Sequence, residues 1–124
     1  MLGDKDVTVA IPAKDTEASK RFYEETLGLT KVKDGPEEGS ATFKSGNTEL
    51  YVYASAYAGT NQATYAEWSV DDIESVVEDL KGKGVTFEQY DMPGMTREGD
   101  IHVMGDTKAA WFKDPAGNIL AISE

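Results

Sequence analysis

The sequence contains no cysteine and only one histidine, His102. Without cysteine the chain can form no disulfide, no thiol nucleophile and no cysteine-ligated zinc site. One histidine cannot build a multi-histidine metal site alone. No apolar run approaches the ~20 residues that a bilayer-spanning helix needs. The first residues, MLGDKDVTV, lack the apolar stretch of a signal peptide, so we expect a cytoplasmic protein with no membrane partner.

Basic residues are also scarce. Twelve lysines and arginines face 23 aspartates and glutamates, which gives a formal net charge of −11. A field of this sign repels phosphate backbones and anionic lipid headgroups, so nucleic acid is not expected as a partner. The same field attracts cations and ligands with basic groups. The alternative, that the charge only keeps the protein soluble, stays open.

The hydrophobic pattern predicts one strand, one helix and three further strands in the first half of the chain. Residues 7–12 alternate between apolar and small or polar side chains, which is typical of a strand. Asp15 is a helix cap, Phe22 lies in the apolar stripe of a helix over about 16–27, and Gly28 ends it. The next strands are predicted at about 29–34, 39–45 and 48–54. The small, polar residues 54–63 are then typical of a linker.

After this linker the same order begins again. The sequence predicts a strand at 65–70, a helix capped by Asp71 or Asp72 and ended by Gly84, and a strand at 85–90. Two more strands are expected at 109–114 and 118–123, joined by an Asp-Pro turn. Between them, residues 91–108 form a long segment that is predicted to be a loop.

The sequences of the two halves align at a nearly constant spacing along the chain, with Asp15 corresponding to Asp72 and Gly28 to Gly84. A shared strand–Asp–helix–Gly–strand order at one spacing indicates internal duplication. We therefore expect a single domain over residues 1–124, made of a half-repeat at 5–54, a linker at 54–63 and a half-repeat at 64–123.

Three segments resemble the vicinal-oxygen-chelate superfamily, which includes glyoxalase, bleomycin-resistance and extradiol-dioxygenase relatives. Residues 15–29, DTEASKRFYEETLGL, are similar to its pattern D-x-x-x-S-x-x-F-Y-x-x-x-L-G. Residues 112–119, FKDPAGNI, are similar to its F-x-D-P-x-G-N-x. Residues 68–85 resemble the start of its second module. The matching residues are mostly architectural, so the resemblance names a fold and leaves the activity open.

The resemblance implies an α+β fold in which two βαβββ half-repeats form an open, cup-shaped mixed β-sheet with helices outside. Strand alternation then sorts side chains by face. Facing the helices we expect Val7, Val9, Ile11, Leu50, Val52 and Trp68. Facing the cup, as ligand-binding candidates, we expect Thr8, Ala10, Tyr51, Tyr53, Tyr65 and Glu67.

Metal-dependent relatives place histidine or glutamate at four cup positions. By the resemblance, these positions are Thr8, Tyr51, Tyr65 and Ala121 in this chain. None is a plausible ligand for a divalent first-row metal, which prefers imidazole or carboxylate. A calcium or magnesium site using Glu49 and Glu67 would lack the clustered carboxylates that those ions require. The sequence therefore resembles a metal-free branch of the family, with no metal site and no cofactor expected.

Two further residues are candidates for the site. His102, in the long segment, is a possible general base or ligand hydrogen-bond donor, or else an ordinary structural histidine. Trp111 is either a stacking wall of the cup or a core residue. Glu67 and His102 are the only, and weak, candidates for acid–base catalysis.

Three functions remain in competition. The first is a metal-independent protein that binds and sequesters a planar or cationic small molecule, as the bleomycin-resistance branch does. The second is a glyoxalase-like lyase or isomerase, or a dioxygenase-related enzyme, with an undetermined substrate. The third is a metal-free enzyme that uses His102 or Glu67 as an acid or base. The resemblance also implies a homodimer.

Overall fold

The structure is a computed structural model that describes residues 1–124. The chain divides into two compact units, each described by itself below. Unit 1 consists of Met1–Thr60 and Pro115–Gly117, and unit 2 consists of Asn61–Asp114 and Asn118–Glu124.

Unit 1 contains a four-stranded sheet. Its elements in chain order are β1 (Thr8–Ala13), α1 (Thr16–Arg21), a π-helical turn (Phe22–Thr26), β2 (Thr30–Asp34), β3 (Ala41–Ser45) and β4 (Thr48–Ala54). The strand order is β1-β4-β3-β2, and β1 runs parallel to β4 while the other neighbours are antiparallel. Unit 1 therefore has the expected βαβββ order.

The helical segment of unit 1 runs from Thr16 to Thr26, close to the predicted 16–27, but its second part is π-helical. Asp15 caps it as expected, since its Oδ1 accepts a hydrogen bond from the Ala18 N–H at 3.1 Å. From Phe22 onward the helix widens, because the Leu27 N–H bonds to the Phe22 carbonyl, five residues back, at 3.0 Å. Tyr23 is fully buried and Phe22 only partly. The aromatic residue that this turn contributes to the core is therefore Tyr23, and not Phe22 of the predicted apolar stripe.

The first sheet buries one face and exposes the other. Ile11, Phe43, Leu50 and Val52 are buried on the face toward α1. The opposite face, here called the open face of the first sheet, carries the exposed Thr8, Ala10 and Glu49. Val7 was expected to face the helix. It precedes β1 instead and is 81% exposed.

Unit 2 contains the second sheet. Its elements are β5 (Thr64–Ser69), α2 (Ile73–Gly82), β6 (Phe87–Glu88), β7 (Thr96–Glu98), β8 (Ile101–Met104), β9 (Thr107–Lys113) and β10 (Ile119–Ser123). The strand order is β5-β10-β9-β8-β7, and β6 also pairs with β9. β5 runs parallel to β10, and β9 runs antiparallel to β10, β8 and β6.

The helix of unit 2 begins at Asp72 rather than Asp71. The Asp72 Oδ1 accepts from the Ser75 N–H at 3.3 Å, and its Oδ2 accepts from the Ser75 hydroxyl at 2.7 Å. Ile73, Val77 and Leu80 are buried along one stripe of α2. On the sheet, Leu120 and Ile122 are buried on the helix side. Trp68, which pairs with Ile122, lies on that side but is only partly buried.

The segment 91–108 is not a loop, because it contains a β-hairpin. β7 and β8 are joined through Gly99 and Asp100, and β8 and β9 through Gly105 and Asp106. Both glycines have a positive φ, which two-residue hairpin turns require. The strand expected at 85–90 shrinks to two residues, since β6 and β8 share one edge of β9: β6 pairs at Trp111 and Phe112, and β8 at 107–109.

Unit 2 thus follows the βαβββ order of unit 1, with its second strand split between β6 and β8. The predicted α+β class with open mixed sheets is confirmed. None of the helices has the length and apolar character needed to span a bilayer.

Candidate functional site

A row of side chains crosses the open face of the second sheet. The strand registers pair Glu67 with Ala121, Ala121 with Trp111, and Trp111 with Glu88. Paired residues project to the same side of a sheet. This side, here called the open face of the second sheet, is opposite to the one that carries Trp68 and Ile122.

Trp111 is tied across this face by a side-chain hydrogen bond. Its indole Nε1–H donates to the Thr64 hydroxyl oxygen at 3.0 Å. Thr64 lies on β5 and Trp111 on β9, with β10 between them, so the indole extends across β10 above Ala121. Ala121 is accordingly fully buried, while Trp111 remains partly exposed. The result is an aromatic platform whose orientation is fixed by a hydrogen bond at its far end.

Two more aromatic rings stand beside the platform. The His102 ring lies 4.9 Å from the indole, centroid to centroid, at 85° to its plane. The Tyr90 ring lies 5.5 Å from the indole at 71°. The Tyr90 and His102 rings are 5.8 Å apart. The three rings form a cluster in which the indole is nearly perpendicular to its neighbours, a favoured arrangement for aromatic pairs.

His102 lies on β8 and pairs with Ala109, next to the point on β9 where pairing with β8 ends and pairing with β6 begins. Its ring is 1% exposed, and its Nε2 accepts a hydrogen bond from the Tyr90 backbone N–H at 2.8 Å. The imidazole nitrogen therefore serves as the acceptor for this backbone N–H, in place of a backbone carbonyl. Because Nε2 supplies its lone pair, the proton of the neutral ring is assigned to Nδ1. Nδ1 is buried and has no hydrogen-bond partner.

This arrangement does not prepare His102 for general-base catalysis. Nε2 has its lone pair engaged by Tyr90, and Nδ1 carries a proton in the neutral ring. Glu67 is exposed on β5, which β10 and β9 separate from β8, and its Oε2 accepts from the Ser123 hydroxyl at 3.1 Å. The two catalytic candidates are not hydrogen-bonded to each other.

The two glutamates on this face, Glu67 and Glu88, differ in whether they form an ion pair. Glu88 forms an ion pair with Lys113 at 3.1 Å, whereas Glu67 has no ion-pair partner. Burial raises the pKa of the Tyr90 phenol, with a smaller contribution from the Glu88 charge. The Tyr90 side chain is therefore neutral at physiological pH, and Glu67 is the carboxylate on this face whose charge is uncompensated.

The strand register assigns Glu67 to a face of the sheet, but it does not do so for Tyr65. The β5–β10 register shifts so that Thr64 pairs with Ile119 and Ala66 with Leu120, which leaves Tyr65 at a β-bulge. Strand alternation cannot assign a face across such an irregularity. It is Thr64, which was not a candidate, that reaches the open face through its bond to Trp111.

The tyrosines of the first sheet form a separate pair in unit 1. The Tyr51 and Tyr53 rings are 5.8 Å apart and nearly parallel, at 8°. The Tyr51 hydroxyl donates to Glu37 Oε1 at 3.1 Å. Ala10 pairs with Tyr51 across β1 and β4. Thr8 and Glu49 line a cavity of about 660 Å³ that also contacts Val32 and Lys44.

The donor groups at the four family metal positions do not fit a divalent first-row ion. They are the Thr8 hydroxyl, the Tyr51 and Tyr65 phenols and the Ala121 methyl group, whereas such ions prefer imidazole, thiolate or carboxylate. Three carboxylates lie within 4.8 Å of one another elsewhere, at Asp72, Glu74 and Glu124. These acids are exposed and already engaged, because Asp72 caps α2, Glu74 binds Lys108 at 2.9 Å and Glu124 accepts from the Ile73 N–H at 2.8 Å.

The sequence predictions thus separate into two groups. Thr8, Ala10, Tyr51 and Tyr53 belong to the first sheet, while Glu67, His102 and Trp111 lie on the open face of the second, where His102 and Trp111 are in contact. Tyr90 and Thr64 were missed. Tyr90 lies two residues after Glu88, so continued alternation would have suggested it, but no sequence signal marks Thr64 as the tether of Trp111.

Comparison with known proteins supports the same family. The family model of the glyoxalase/bleomycin resistance protein/dioxygenase superfamily matches residues 7–122. None of the curated proteins matches the chain.

Among solved structures, a glyoxalase family protein from Enterococcus faecalis is similar with a TM-score of 0.76 at 23% identity, covering 100% of both chains. TnmS3, an antibiotic binding protein from Streptomyces, has a TM-score of 0.71 at 22% identity, covering 98% of this chain and 96% of its own. Lactoylglutathione lyase from Agrobacterium tumefaciens has a TM-score of 0.71 at 18% identity, covering 98% and 93%. These likenesses concern the fold. Because the family model spans nearly the whole sequence, the chain belongs to the glyoxalase/bleomycin resistance protein/dioxygenase superfamily.

Proposed function

We propose that this protein is a metal-independent small-molecule binding protein whose ligand is a planar aromatic molecule, neutral or cationic, stacked on Trp111. The observation that carries the proposal is the indole fixed by Thr64 and flanked by Tyr90 and His102. A platform held in place before binding loses little conformational entropy when a ligand stacks on it. The likeness to TnmS3, an antibiotic binding protein, makes antibiotic-like planar molecules part of the proposal.

The electrostatics of the second sheet favour a cationic ligand over an anionic one. An aromatic face attracts a cation by about 0.5–2 kcal/mol, depending on how far water is excluded. Glu67 adds a carboxylate that has no ion-pair partner. It lies on β5, which is separated by β10 from β9, the strand of Trp111. The net charge of −11 strengthens the attraction at long range.

Two single-tryptophan variants test the platform directly. The chain has two tryptophans on opposite faces of the second sheet, so Trp68→Phe leaves Trp111 as the reporter and Trp111→Phe leaves Trp68. In a titration with planar cationic aromatic compounds, we expect quenching in Trp68→Phe and little change in Trp111→Phe. Equal quenching in both variants, or no quenching across the panel, would contradict the proposal.

Metal independence is tested by repeating the titration in the presence of a chelator. We expect the same dissociation constant, because the four family positions lack suitable donors. Stoichiometric nickel, zinc or iron in protein purified without chelator would overturn this part of the proposal. It would favour the alternative, a lyase, isomerase or dioxygenase-type enzyme, whose metal chemistry needs ligands that these positions do not carry.

We also propose that the protein is a homodimer, on the strength of the family resemblance alone. Light scattering on the eluting protein should give twice the 13.5 kDa of one chain. A monomer at micromolar concentration would refute it.

A further inference from the structure

We propose that the Nδ1–H of His102 donates a hydrogen bond to the ligand, and that the ligand is therefore a planar aromatic molecule with a hydrogen-bond acceptor at its edge. A ring carbonyl or a ring nitrogen has the required chemistry. This inference rests on the proposed function, and it adds the polar group by which the site selects among planar molecules.

The proposal begins with the unequal use of the two imidazole nitrogens. Nε2 accepts from the Tyr90 N–H, which assigns the proton to Nδ1. Nδ1–H is then a donor with no acceptor in the protein, in a ring that is 1% exposed. A buried donor without a partner costs about 1–3 kcal/mol. A ligand atom that accepts this hydrogen bond removes the cost.

The imidazole that carries the donor lies beside the platform on which the ligand is proposed to stack. The imidazole is 4.9 Å from the indole and at 85° to it. A planar ligand stacked parallel to the indole therefore meets the imidazole with its edge. Carbonyl and pyridine-type acceptors direct their lone pairs outward in the ring plane, so the edge is where they can bind.

Tyr90 is the side chain beside the imidazole that is free to move. Its ring lies against the imidazole, at 5.8 Å, and is only partly buried. Its backbone is held by the N–H bond to Nε2, whereas no hydrogen bond holds its hydroxyl. The phenol can thus rotate without losing a hydrogen bond. Trp111, in contrast, is tied to Thr64 and stays in place.

The matched probes are 9-fluorenone and fluorene, two planar tricyclic molecules that differ in one carbonyl. Affinities are measured from the quenching of Trp111 in the Trp68→Phe variant. We expect fluorenone to bind about tenfold more tightly, the ratio given by one hydrogen bond to an otherwise unsatisfied donor.

NMR of protein with nitrogen-15-labelled histidine detects the hydrogen bond from Nδ1–H to the ligand without a mutation. The signal is unambiguous, since His102 is the only histidine. In the free protein we expect the Nδ1–H tautomer at neutral pH. On adding fluorenone the Nδ1-bound proton should shift downfield, and on adding fluorene it should not. An Nε2–H tautomer, or the same response to both probes, would overturn the inference. An upfield Nδ1 proton that fluorenone leaves unchanged would instead indicate a bond to the indole face, and would also overturn it.

The variant His102→Phe keeps an aromatic ring and removes both nitrogens. Where it folds, as judged by its thermal transition, the ratio of the two affinities should fall to about one. Where it does not fold, the NMR experiment decides alone. Failure of both probes to bind counts against the proposed function, whereas equal binding of both leaves that function standing and refutes the role of His102.

Discussion

Asp114 and Asn118 are two polar side chains buried at the ends of the turn between β9 and β10. The Asn118 amide Nδ2 donates to Asp114 Oδ2 at 2.8 Å, and the Asn118 backbone N–H donates to Oδ1 at 2.9 Å. The Asp114 N–H in turn donates to the Asn118 carbonyl at 3.0 Å. Asn118 is 1% exposed. Because both side chains are buried, water cannot replace a hydrogen bond that is lost between them.

Replacing Asn118 with alanine removes one of the donors to the Asp114 carboxylate while leaving the backbone bond. We expect Asn118→Ala to lower the free energy of unfolding by about 2 kcal/mol, the cost of leaving a buried acceptor underused. Asn47→Ala is the matched control, because Asn47 lies exposed in the turn between β3 and β4 and should change stability by less than about 0.5 kcal/mol. Urea denaturation of both variants measures the difference. An equal loss of unfolding free energy in Asn118→Ala and Asn47→Ala would contradict the role of the buried pair.

Strand alternation in the sequence predicts the position of some site residues and misses that of others. Alternation placed Glu67 correctly on the face opposite Trp68, because β5 is regular at that point. At Tyr65 a bulge interrupts the period of two, so alternation assigns no face to this residue. The perpendicular contact of His102 with Trp111 depends on β6 and β8 sharing one edge of β9, which is a long-range pairing that no local pattern encodes.

At the scale of elements, the β7–β8 hairpin is the main feature that the sequence prediction missed. Its strands are short and β7 is exposed, so they lack the apolar alternation that usually reveals a strand. The signal that was present is the repeated Gly-Asp, at 99–100 and 105–106, since this dipeptide suits a two-residue hairpin turn. The π-helical turn at Phe22–Thr26 had no comparable signal.

Asp100 fastens this hairpin to the rest of unit 2. Its Oδ2 accepts from Lys81 Nζ on α2 at 2.9 Å, and its Oδ1 accepts from the Gln89 amide at 3.2 Å. The hydrogen bond from Lys81 lowers the pKa of Asp100, Gln89 lowers it further, and partial burial opposes them. The Asp100 side chain is 15% exposed, whereas that of Lys81 is 56% exposed, so solvent screens much of the attraction.

Asp100→Asn should therefore cost only about 0.5–1 kcal/mol at neutral pH. Because the folded pKa lies below the unfolded value of about 3.9, the contribution of the charge is complete above that value. It is lost as the pH falls further through the folded pKa. The urea midpoints of the wild type and Asp100→Asn should thus differ at pH 7 and converge toward pH 3. Asp106→Asn, at the equivalent position in the next Gly-Asp turn, removes no such bonds and should change the urea midpoint at pH 7 by less than Asp100→Asn does.

At the scale of the whole molecule, the duplication was readable from the sequence, because helix caps and turn glycines recur at a constant spacing. One detail was not. Residues 115–117, which belong to the second half-repeat in sequence, are part of unit 1. We continue to propose that residues 1–124 fold as one domain, since a unit that takes residues from both halves of the chain needs both for its completion.

Gly59 is the point in unit 1 where this completion can be tested. Its φ is +75°, and a Cβ there would meet the carbonyl oxygen of Ala116 well inside van der Waals contact. Gly94 also has a positive φ, +82°, but nothing lies within 4 Å of its Cβ position. Gly94→Ala should therefore cost about 1 kcal/mol through backbone strain alone. Gly59→Ala should cost at least about 2 kcal/mol more, because the carbonyl must move.

Both variants should unfold in a single transition followed by tryptophan fluorescence, which reports unit 2, and by far-ultraviolet circular dichroism, which reports both units. If the turn at 115–117 completes unit 1 and the chain is one cooperative domain, Gly59→Ala shifts both signals together to lower urea. A shift in circular dichroism with the tryptophan transition unmoved would show that the units unfold separately, and the single-domain proposal would then be wrong. Equal losses for Gly59→Ala and Gly94→Ala would instead show that the backbone of the turn yields, so that its close approach to Gly59 contributes no rigidity.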